Sequence, residues 1–203
     1  SCGIWVAGYL HKIVVFHAAD MEQKDIDIIR KWVGTRRAEA TAIEVLPAEE
    51  FVDTVFFPWL IENQALCVGF NLPFDLSRLA LRYGYGRGKW KNWFTFELSD
   101  DTNYPRLRIH SLDSVRSFFH LAPSKYSGSV KGRFLDLRAL GFALTNRKLS
   151  LKAACDTFNT KHRKMETRQH GRITPEYLEY NVNDMLATHE LYERMLDRLR
   201  EFK

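Results

Sequence analysis

A short stretch near the middle of the chain decides the fold: residues 68–75 read VGFNLPFD. Its first three residues close an apolar run, residues 65–70, of the kind found in a strand that is buried on both faces of a sheet. Asn71 leaves this strand, and Pro73 suits the first position of a helix that we expect to reach residue 83. Asp75 then lies on the first turn of that helix, beside the strand end where open α/β sheets bind their ligands. Taken alone, Asp75 is explained equally well as a complement to the helix dipole.

Apolar periodicities predict strands and helices in alternation along the rest of the chain. Strands are expected at residues 4–10 and 13–16 (a hairpin with its turn at 11–12), 42–46, 65–70, 93–98, 107–112 and 134–137. Helices are expected at residues 21–33, 48–63 (kinked or ended by Pro58), 73–83, 138–144, 150–158 and 175–202, with a loop at 82–91. With 203 residues, 45% of them hydrophobic, the chain is expected to form one α/β domain, residues 1–203, with a mixed central sheet flanked by helices.

Charge and cysteine content narrow the class of protein. The formal net charge of +5 suits a polyanionic partner, and on charge alone an ordinary basic soluble protein explains it equally well. Three widely spaced cysteines, Cys2, Cys67 and Cys155, indicate free thiols in the cytoplasm or another reducing intracellular compartment. The histidine spacings do not match a zinc site, no apolar run is long enough to cross a membrane, and no signal peptide is recognisable.

The last predicted helix carries a second candidate site. It begins with Thr174 as N-cap, Pro175 at the first helical position and Glu176 in an acidic first turn. Tyr180 and Asp184 are four residues apart and therefore share one helix face. A structural tyrosine beside a solvated aspartate explains this pair equally well on its own. Carboxylates held by apolar elements are ligands for hard divalent metals, which serve phosphoryl chemistry.

Together the two motifs resemble the second and third motifs of the DEDD superfamily of 3′–5′ exonucleases, which have an RNase H-like fold. The tyrosine subtype matches better, because the histidine subtype would need a histidine at position 179, which is Glu179. The chain is most similar to the proofreading domain of family B DNA polymerases, over nearly its whole length. The segments that carry the resemblance are GIWVAGYL (3–10), GFNLPFD (69–75), FLDL (134–137), ITPEYLEY (173–180) and ND (183–184).

The resemblance implies a metal-dependent exonuclease that releases nucleoside monophosphates from single-stranded DNA, of a kind that a polymerase domain can follow in the chain. Asp75 and Asp184 would be metal ligands in a two-metal site for Mg²⁺ or Mn²⁺, and Tyr180 would position the attacking water. Asn71 and Phe74 would lie in the substrate cleft, with Phe74 also anchoring the turn that holds Asp75. Lys152 would contact the scissile phosphate, although a solvated helix lysine is an alternative explanation.

The same family places an Asp-x-Glu pair on a strand before the opening hairpin. The resemblance therefore predicts this pair upstream of Ser1, in a chain truncated at its N-terminus. Asp20 and Glu22 are an internal alternative, although the segment that contains them is predicted to begin a helix. Two dications about 4 Å apart repel by roughly 17 kcal/mol at an effective dielectric near 20, so a chain without the pair is expected to hold the second metal poorly.

Two basic tracts are candidates for nucleic-acid contacts. The first has Trp90 among cationic side chains, which are Arg87, Lys89 and Lys91. A solvated rim beside core aromatics is the alternative, and we expect Phe94 and Phe96 in the core. The second tract, with Arg163 and Lys164, precedes the last helix and could steer a phosphate strand. Two other functions stay open: a non-catalytic nucleic-acid-binding module on the same fold, and an exonuclease that acts on RNA.

Overall fold

A computed structural model of the protein describes residues 1–36, 41–163 and 172–201. Within these ranges the strands are β1 (Cys2–Val6), β2 (Tyr9–His17), β3 (Ala42–Pro47), β4 (Leu66–Gly69), β5 (Arg82–Tyr85), β6 (Phe94–Glu97), β7 (Leu107–Ser111), β8 (Ser117–Leu121) and β9 (Arg133–Asp136). The helices are α1 (Gln23–Thr35), α2 (Ala48–Phe51), α3 (Phe57–Ile61), α4 (Leu72–Ser77), α5 (Leu137–Thr145), α6 (Leu151–Thr157) and α7 (Pro175–Arg200). The expected mixed α/β class is confirmed.

The described strands form three sheets, whereas the sequence predicts one mixed central sheet. The first sheet has the order β1-β2-β3, with β1 antiparallel and β3 parallel to β2. The second is the parallel pair β4-β9, and the third is the antiparallel sheet β5-β6-β7-β8. Within the described chain, no ladder of hydrogen bonds joins β1 to β4, so the first two sheets are distinct.

The opening hairpin is present, but its turn lies at Ala7 and Gly8 rather than at residues 11–12. Both turn residues have positive φ, 51° and 84°, as a two-residue hairpin turn of the primed type requires. Glycine supplies this conformation without steric cost. Lys12 instead lies inside β2, where its ammonium pairs with Glu44 of β3 at 2.8 Å.

Residues 82–91 do not form the predicted loop. α4 ends at Ser77 instead of continuing to residue 83, and Arg82–Tyr85 becomes the edge strand β5. β5 pairs with β6, and a 3₁₀ turn (Gly88–Trp90) lies between them. The strand β8, which the sequence pattern did not indicate, completes this sheet beside β7.

The chain stays helical through Pro58. A π-helical segment (Val52–Phe56) joins α2 to α3, and Pro58 lies in the first turn of α3. Proline lacks an N–H and crowds the preceding turn, so a wider turn before it accommodates the ring without ending the helix.

The core is layered around the first two sheets. Alternate residues of β2 face opposite sides: Val14 joins a cluster with α2 and α3, and Ile13 joins a cluster with α1 and α7. In the second sheet, Cys67 belongs to the first of these clusters, and Val68 packs against a third formed by α5, α6 and α7. One apolar layer therefore covers both sheets on one side, and α7 contacts β1 and β4 on the other.

Two further expectations concern the chain as a whole. Cys2, Cys67 and Cys155 are free thiols, as predicted, and Cys155 is fully buried. Among the described helices, none has both the length and the apolar character needed to span a bilayer.

Candidate carboxylate site and nucleic-acid interface

Asp75 lies at the carboxyl end of the parallel strand pair. β4 ends at Gly69, and Asn71 adopts the left-handed conformation, with φ 72° and ψ 50°, that redirects the chain into α4. The Asp75 carboxylate folds back over the strand end, since a Cβ atom added to Gly69 would lie 3.4 Å from Asp75 Oδ2. Asp75 retains solvent access. It is therefore placed to meet a ligand at the strand end.

Asp136 is a second carboxylate at this strand end, and sequence reasoning assigned it no role. It follows Leu135 at the end of β9, in register with Gly69 of β4. Its carboxylate accepts the backbone N–H groups of Asn71 at 3.0 Å, Leu72 at 3.1 Å and Arg138 at 2.9 Å. One side chain thus caps α5 and fixes the start of α4. The signal in the sequence was an aspartate directly between a strand and a helix, which is an N-cap position.

The two carboxylates have different electrostatic environments. The pKa of Asp75 is raised to about 6, first by lost hydration and then by the like charge of Asp136, while the α-amino group of Ser1 opposes the shift. Burial also raises the pKa of Asp136, although its backbone hydrogen bonds act in the opposite direction. Asp136 accepts hydrogen bonds from the backbone, whereas no backbone N–H of the described residues donates to Asp75.

α7 runs along one face of β1. Side chains two residues apart share one face of a strand, and residues four apart share one face of a helix. Three contacts between β1 and α7 therefore repeat at these spacings. They are the hydrogen bond from Ser1 Oγ to the Asn181 carbonyl oxygen (3.1 Å), the approach of Met185 to Gly3, and the stacking of His189 on Trp5 with ring centroids 3.9 Å apart. This register places the helical turn that contains Asp184 beside the first residues of β1.

Tyr180 and Asp184 interact with each other on α7. The pKa of Tyr180 is raised to about 12, first by burial and then by the charge of Asp184, with which the hydroxyl also hydrogen-bonds. The predicted N-cap of α7 is confirmed, because Thr174 Oγ1 accepts the N–H of Tyr177 at 3.2 Å. The expected sharing of one helix face by Tyr180 and Asp184 is therefore present.

The two sequence motifs lie on elements that pack against each other. Asp75 folds over the end of β4, and α7, which carries Tyr180 and Asp184, contacts both β4 and β1. The hydroxyl of Ser1, just before β1, bonds to α7 at Asn181, between Tyr180 and Asp184. Within the described ranges, no group of three or more His, Cys, Asp or Glu side chains is arranged to hold a metal ion.

Other predicted site residues have different surroundings. The Asn71 side chain accepts a hydrogen bond from Arg138 Nη1 at 3.4 Å. Phe74 does not anchor the turn: it is 52% exposed, with the Arg78 guanidinium 4.8 Å from its ring centroid. Leu72 and Leu76 are buried and hold α4 instead, because the helix presents those positions to the core. Lys152 is exposed on the first turn of α6.

The internal alternative for the first carboxylate motif lies on an exposed turn. Asp20 is solvent-exposed after the end of β2, and Glu22 is the residue before α1. Glu22 forms an ion pair with Lys24 at 2.7 Å. Met21, between them, lines a cleft with Ser1 and Asn181, so this turn lies at the same end of the first sheet as Ser1, while both carboxylates are exposed.

The second basic tract is described only in part. Arg163 forms an ion pair with Asp156, and its carbonyl oxygen accepts the Asn183 side-chain amide at 2.7 Å. Lys164 lies outside the described residues. Glu190 of α7 holds the neighbouring segment by accepting the backbone N–H groups of Lys161 at 2.7 Å and His162 at 2.9 Å.

The first basic tract lies against the antiparallel sheet. Arg87, Lys89 and Lys91 are exposed, and Trp90 is half-buried. The Trp90 ring stacks with Arg108 of β7, whose Cζ atom is 4.4 Å from the ring centroid. Phe96 packs against the core as expected, but Phe94 is 39% exposed because β5 and β6 extend beyond the apolar layer.

The arrangement therefore consists of an accessible carboxylate at a strand end, a tyrosine–aspartate pair on the adjoining helix, and a basic aromatic surface on a separate sheet. These three features are what any functional interpretation must explain. Comparison of the chain with protein-family models, with curated proteins and with solved structures finds no match.

Proposed function

We propose that the protein is a metal-dependent 3′–5′ exonuclease with an RNase H-like fold, which hydrolyses terminal phosphodiester bonds of single-stranded DNA. One observation carries the proposal. Asp75 folds over the carboxyl end of β4, and α7, the helix of Tyr180 and Asp184, packs against both β4 and β1. In this proposal the two motifs, about a hundred residues apart in the sequence, contribute acidic side chains to one site at the end of the sheets, where α/β proteins bind ligands.

The layering of the fold supports the RNase H-like part of the proposal. An antiparallel hairpin, β1-β2, and a parallel pair, β4-β9, share an apolar layer on one side. The long terminal helix α7 crosses both on the other side. Helices on two sides of a mixed strand layer are what the proposed fold requires.

The residues present suit a hard divalent cation. Asp75 is accessible and has a raised pKa, so a cation beside it would relieve the repulsion from Asp136. Mg²⁺ typically takes one or two protein carboxylates and completes its coordination with waters and substrate phosphates. Asp75 and Asp184 would hold such an ion, Mg²⁺ or Mn²⁺. When bound, it would polarise the phosphoryl oxygen and activate water.

Tyr180 contributes orientation rather than base catalysis. With a pKa of about 12 its hydroxyl stays protonated at neutral pH, so it can donate a hydrogen bond. Asp184 is one helical turn away on the same face of α7, and a water or phosphate oxygen beside the pair would be oriented by both groups. Arg138, beside Asn71 at the same strand end, is a donor for the phosphate of the terminal nucleotide.

Digestion of 5′-labelled single-stranded DNA with Mg²⁺ or Mn²⁺, against EDTA, tests the proposal. We expect stepwise shortening from the 3′ end, and a loss of at least about 100-fold in Asp184→Asn and Asp75→Asn, because each removes a charge that stabilises the transition state. Asp197→Asn is the matched control, since Asp197 is also on α7 but pairs with Arg200 on the surface. Hydrolysis that persists in Asp184→Asn would contradict the proposed mechanism. A matched RNA strand in the same assay decides which sugar is preferred.

A non-catalytic nucleic-acid-binding module is the second candidate function. The observation that favours it is the lack, in the described part of the chain, of a cluster of three metal-binding side chains. Such a module would bind the labelled strand without shortening it, with either ion. The same digestion, run beside a binding measurement, therefore separates the two functions.

A further inference from the structure

The antiparallel sheet has a polar aromatic face that the carboxylate site does not use. Directly opposed residues of an antiparallel pair point to the same side. Leu107, Ile109 and Leu121 face the core, so their neighbours Arg108, His110 and His120 face outward. Trp90 and Trp93 lie against this outer face. We call it the tryptophan platform and define it as Trp90, Trp93, Arg108, His110, Phe118 and His120.

The rings of the tryptophan platform are ordered by one another. Trp90 lies 4.7 Å from His120 and, edge-on, 5.1 Å from Trp93, measured between ring centroids. Trp93 stacks on His110 at 5.2 Å. Phe118, opposite His110 in the ladder, adds a ring that is 55% exposed. Rings held in place lose little conformational entropy when a further planar group stacks on them.

Positive charge on the platform is not balanced by acidic groups. Lys131 flanks the platform, because its carbonyl oxygen accepts the N–H of Leu121 at the end of β8. Arg82 and Arg106 are paired with Glu97, but within the described residues no ion pair neutralises Arg108, Lys89 or Lys131. The pKa of Arg108 is lowered, first by lost hydration and then by the charge of Arg106. A partly desolvated guanidinium without a carboxylate partner favours an external anion.

We propose that the tryptophan platform binds a single-stranded nucleic acid, with phosphates on Arg108 and the flanking lysines and bases stacked on Phe118 and on the half-buried tryptophan rings. Unpaired cations interleaved with aromatic faces are the chemistry of single-strand binding. A duplex would offer the phosphates but keep its bases stacked on one another. The platform lies on a different sheet from Asp75, so its binding does not depend on the proposed hydrolysis.

Binding of a labelled oligothymidylate of about 16 nucleotides, followed by fluorescence anisotropy in EDTA, tests this site. We expect Phe118→Ala and Arg108→Ala each to weaken binding by about fivefold or more, the loss typical of one stacked base. Two controls change the same chemistry elsewhere: Tyr9→Ala removes an exposed ring from β2, and Arg30→Ala an exposed charge from α1. Both should bind within about twofold of the unaltered protein.

Heparin distinguishes a nucleic-acid site from a general polyanion surface. It carries charge without bases, so Arg108→Ala should weaken its binding and Phe118→Ala should not. Unchanged oligothymidylate binding in both variants, or an equal effect of Phe118→Ala on heparin, would overturn the proposal. Arg108→Lys, which retains the charge, guards against a folding defect and should lose less affinity than Arg108→Ala.

The outcome is separable from that of the exonuclease test. If Phe118→Ala and Arg108→Ala bind oligothymidylate as tightly as the unaltered protein does, and digestion is intact, the platform proposal alone is refuted. Platform-dependent binding without any digestion refutes the exonuclease alone and supports the platform. Because binding is measured in EDTA, hydrolysis cannot influence it.

Discussion

At the scale of single residues, Asp136 organises the candidate site more than any residue that the sequence motifs indicated. It is 6% exposed, and its carboxylate serves three backbone N–H groups at the starts of two helices. The charge of Asp136 contributes to the raised pKa of Asp75, which keeps access to solvent. One carboxylate is therefore structural and the other is available to a ligand, although both follow parallel strands of the same sheet.

Replacing Asp136 by asparagine should destabilise the protein. The amide presents a donor where the carboxylate had an acceptor, so at least one buried N–H loses its partner, at a cost of roughly 1–3 kcal/mol. Urea denaturation measures this loss. Asp20→Asn, on an exposed turn, is the control and should change the free energy of unfolding by less than about 0.5 kcal/mol. Equal stability of the two variants would contradict the capping role.

Asp113 provides a pH-dependent test. The pKa of its carboxyl is lowered from 3.8 to about 2 by the backbone N–H groups of Arg116 and Val115 and by the Arg116 side chain. A carboxyl with a depressed pKa stabilises the fold above pH 3.8, and this contribution disappears as the pH falls towards 2. Asp113→Asn should therefore melt at a lower temperature than the unaltered protein at neutral pH. The gap should close near pH 2, and a gap independent of pH would contradict the assignment.

At the scale of elements, the packing of α7 along β1 determines how the two candidate motifs meet. Side chains on one face of a strand are two residues apart, whereas those on one face of a helix are about four residues apart. The pairs Ser1–Asn181, Gly3–Met185 and Trp5–His189 follow this rule. Gly3 is needed within it, because a Cβ atom there would overlap ring carbons of Trp5 and lie 2.8 Å from Met185 Sδ.

Alanine substitutions at two glycines should have opposite effects. Gly3→Ala forces Trp5 away from its stack on His189, and overpacking of this kind costs about 1–3 kcal/mol. Gly34→Ala, in α1, has no described atom within 4 Å of the new methyl group and should stabilise the helix by roughly 0.5–1 kcal/mol. Urea midpoints measure both changes. A Gly3→Ala protein as stable as the unaltered chain would show that α7 can move away from β1.

At the scale of the whole molecule, one apolar cluster links the antiparallel sheet to the rest of the fold. Phe57 of α3 is fully buried and stacks on Tyr104 with ring centroids 4.6 Å apart. The same cluster contains Val14 of β2, Leu72 of α4 and Leu107 of β7. All three sheets therefore border one continuous apolar region.

Phe57→Ala should weaken all three sheets together. Truncating a fully buried phenylalanine costs about 3–5 kcal/mol, and the shared cluster distributes the loss. Far-ultraviolet circular dichroism and tryptophan fluorescence should show coincident transitions at a lower urea concentration, the fluorescence being recorded in a Trp5→Phe, Trp32→Phe, Trp59→Phe background so that it reports on Trp90 and Trp93. Val6→Ala, at a partly exposed position, is the control. Separate transitions for the two signals would mean that the antiparallel sheet unfolds independently.

The sequence by itself determined the elements with strong local signals. Apolar periodicity and helix caps predicted α1, α5, α6 and α7, and alternation predicted β6, β7 and β9, each within a few residues of its observed bounds. The positions of Asp75 at a strand end and of Tyr180 and Asp184 on one helix face were predictable because strand ends and helix starts have local signatures, while their roles stay predictions. The hairpin turn was predicted at the wrong residues. Alanine rarely adopts the positive φ that Ala7 has, so the local sequence carried no clear signal for a turn at Ala7 and Gly8.

Only the tertiary structure decided the strands and contacts that depend on distant partners. β5 and β8 have no clear periodicity of their own and are strands because β6 and β7 supply their hydrogen bonds. The capping by Asp136, the contact of Ser1 with α7 and the stacking of Arg108 on Trp90 join residues that are not neighbours in the chain. The local free energies of helix and strand formation depend on residues that are neighbours in the sequence. The burial of a side chain and the charges around it depend on which elements the fold brings together.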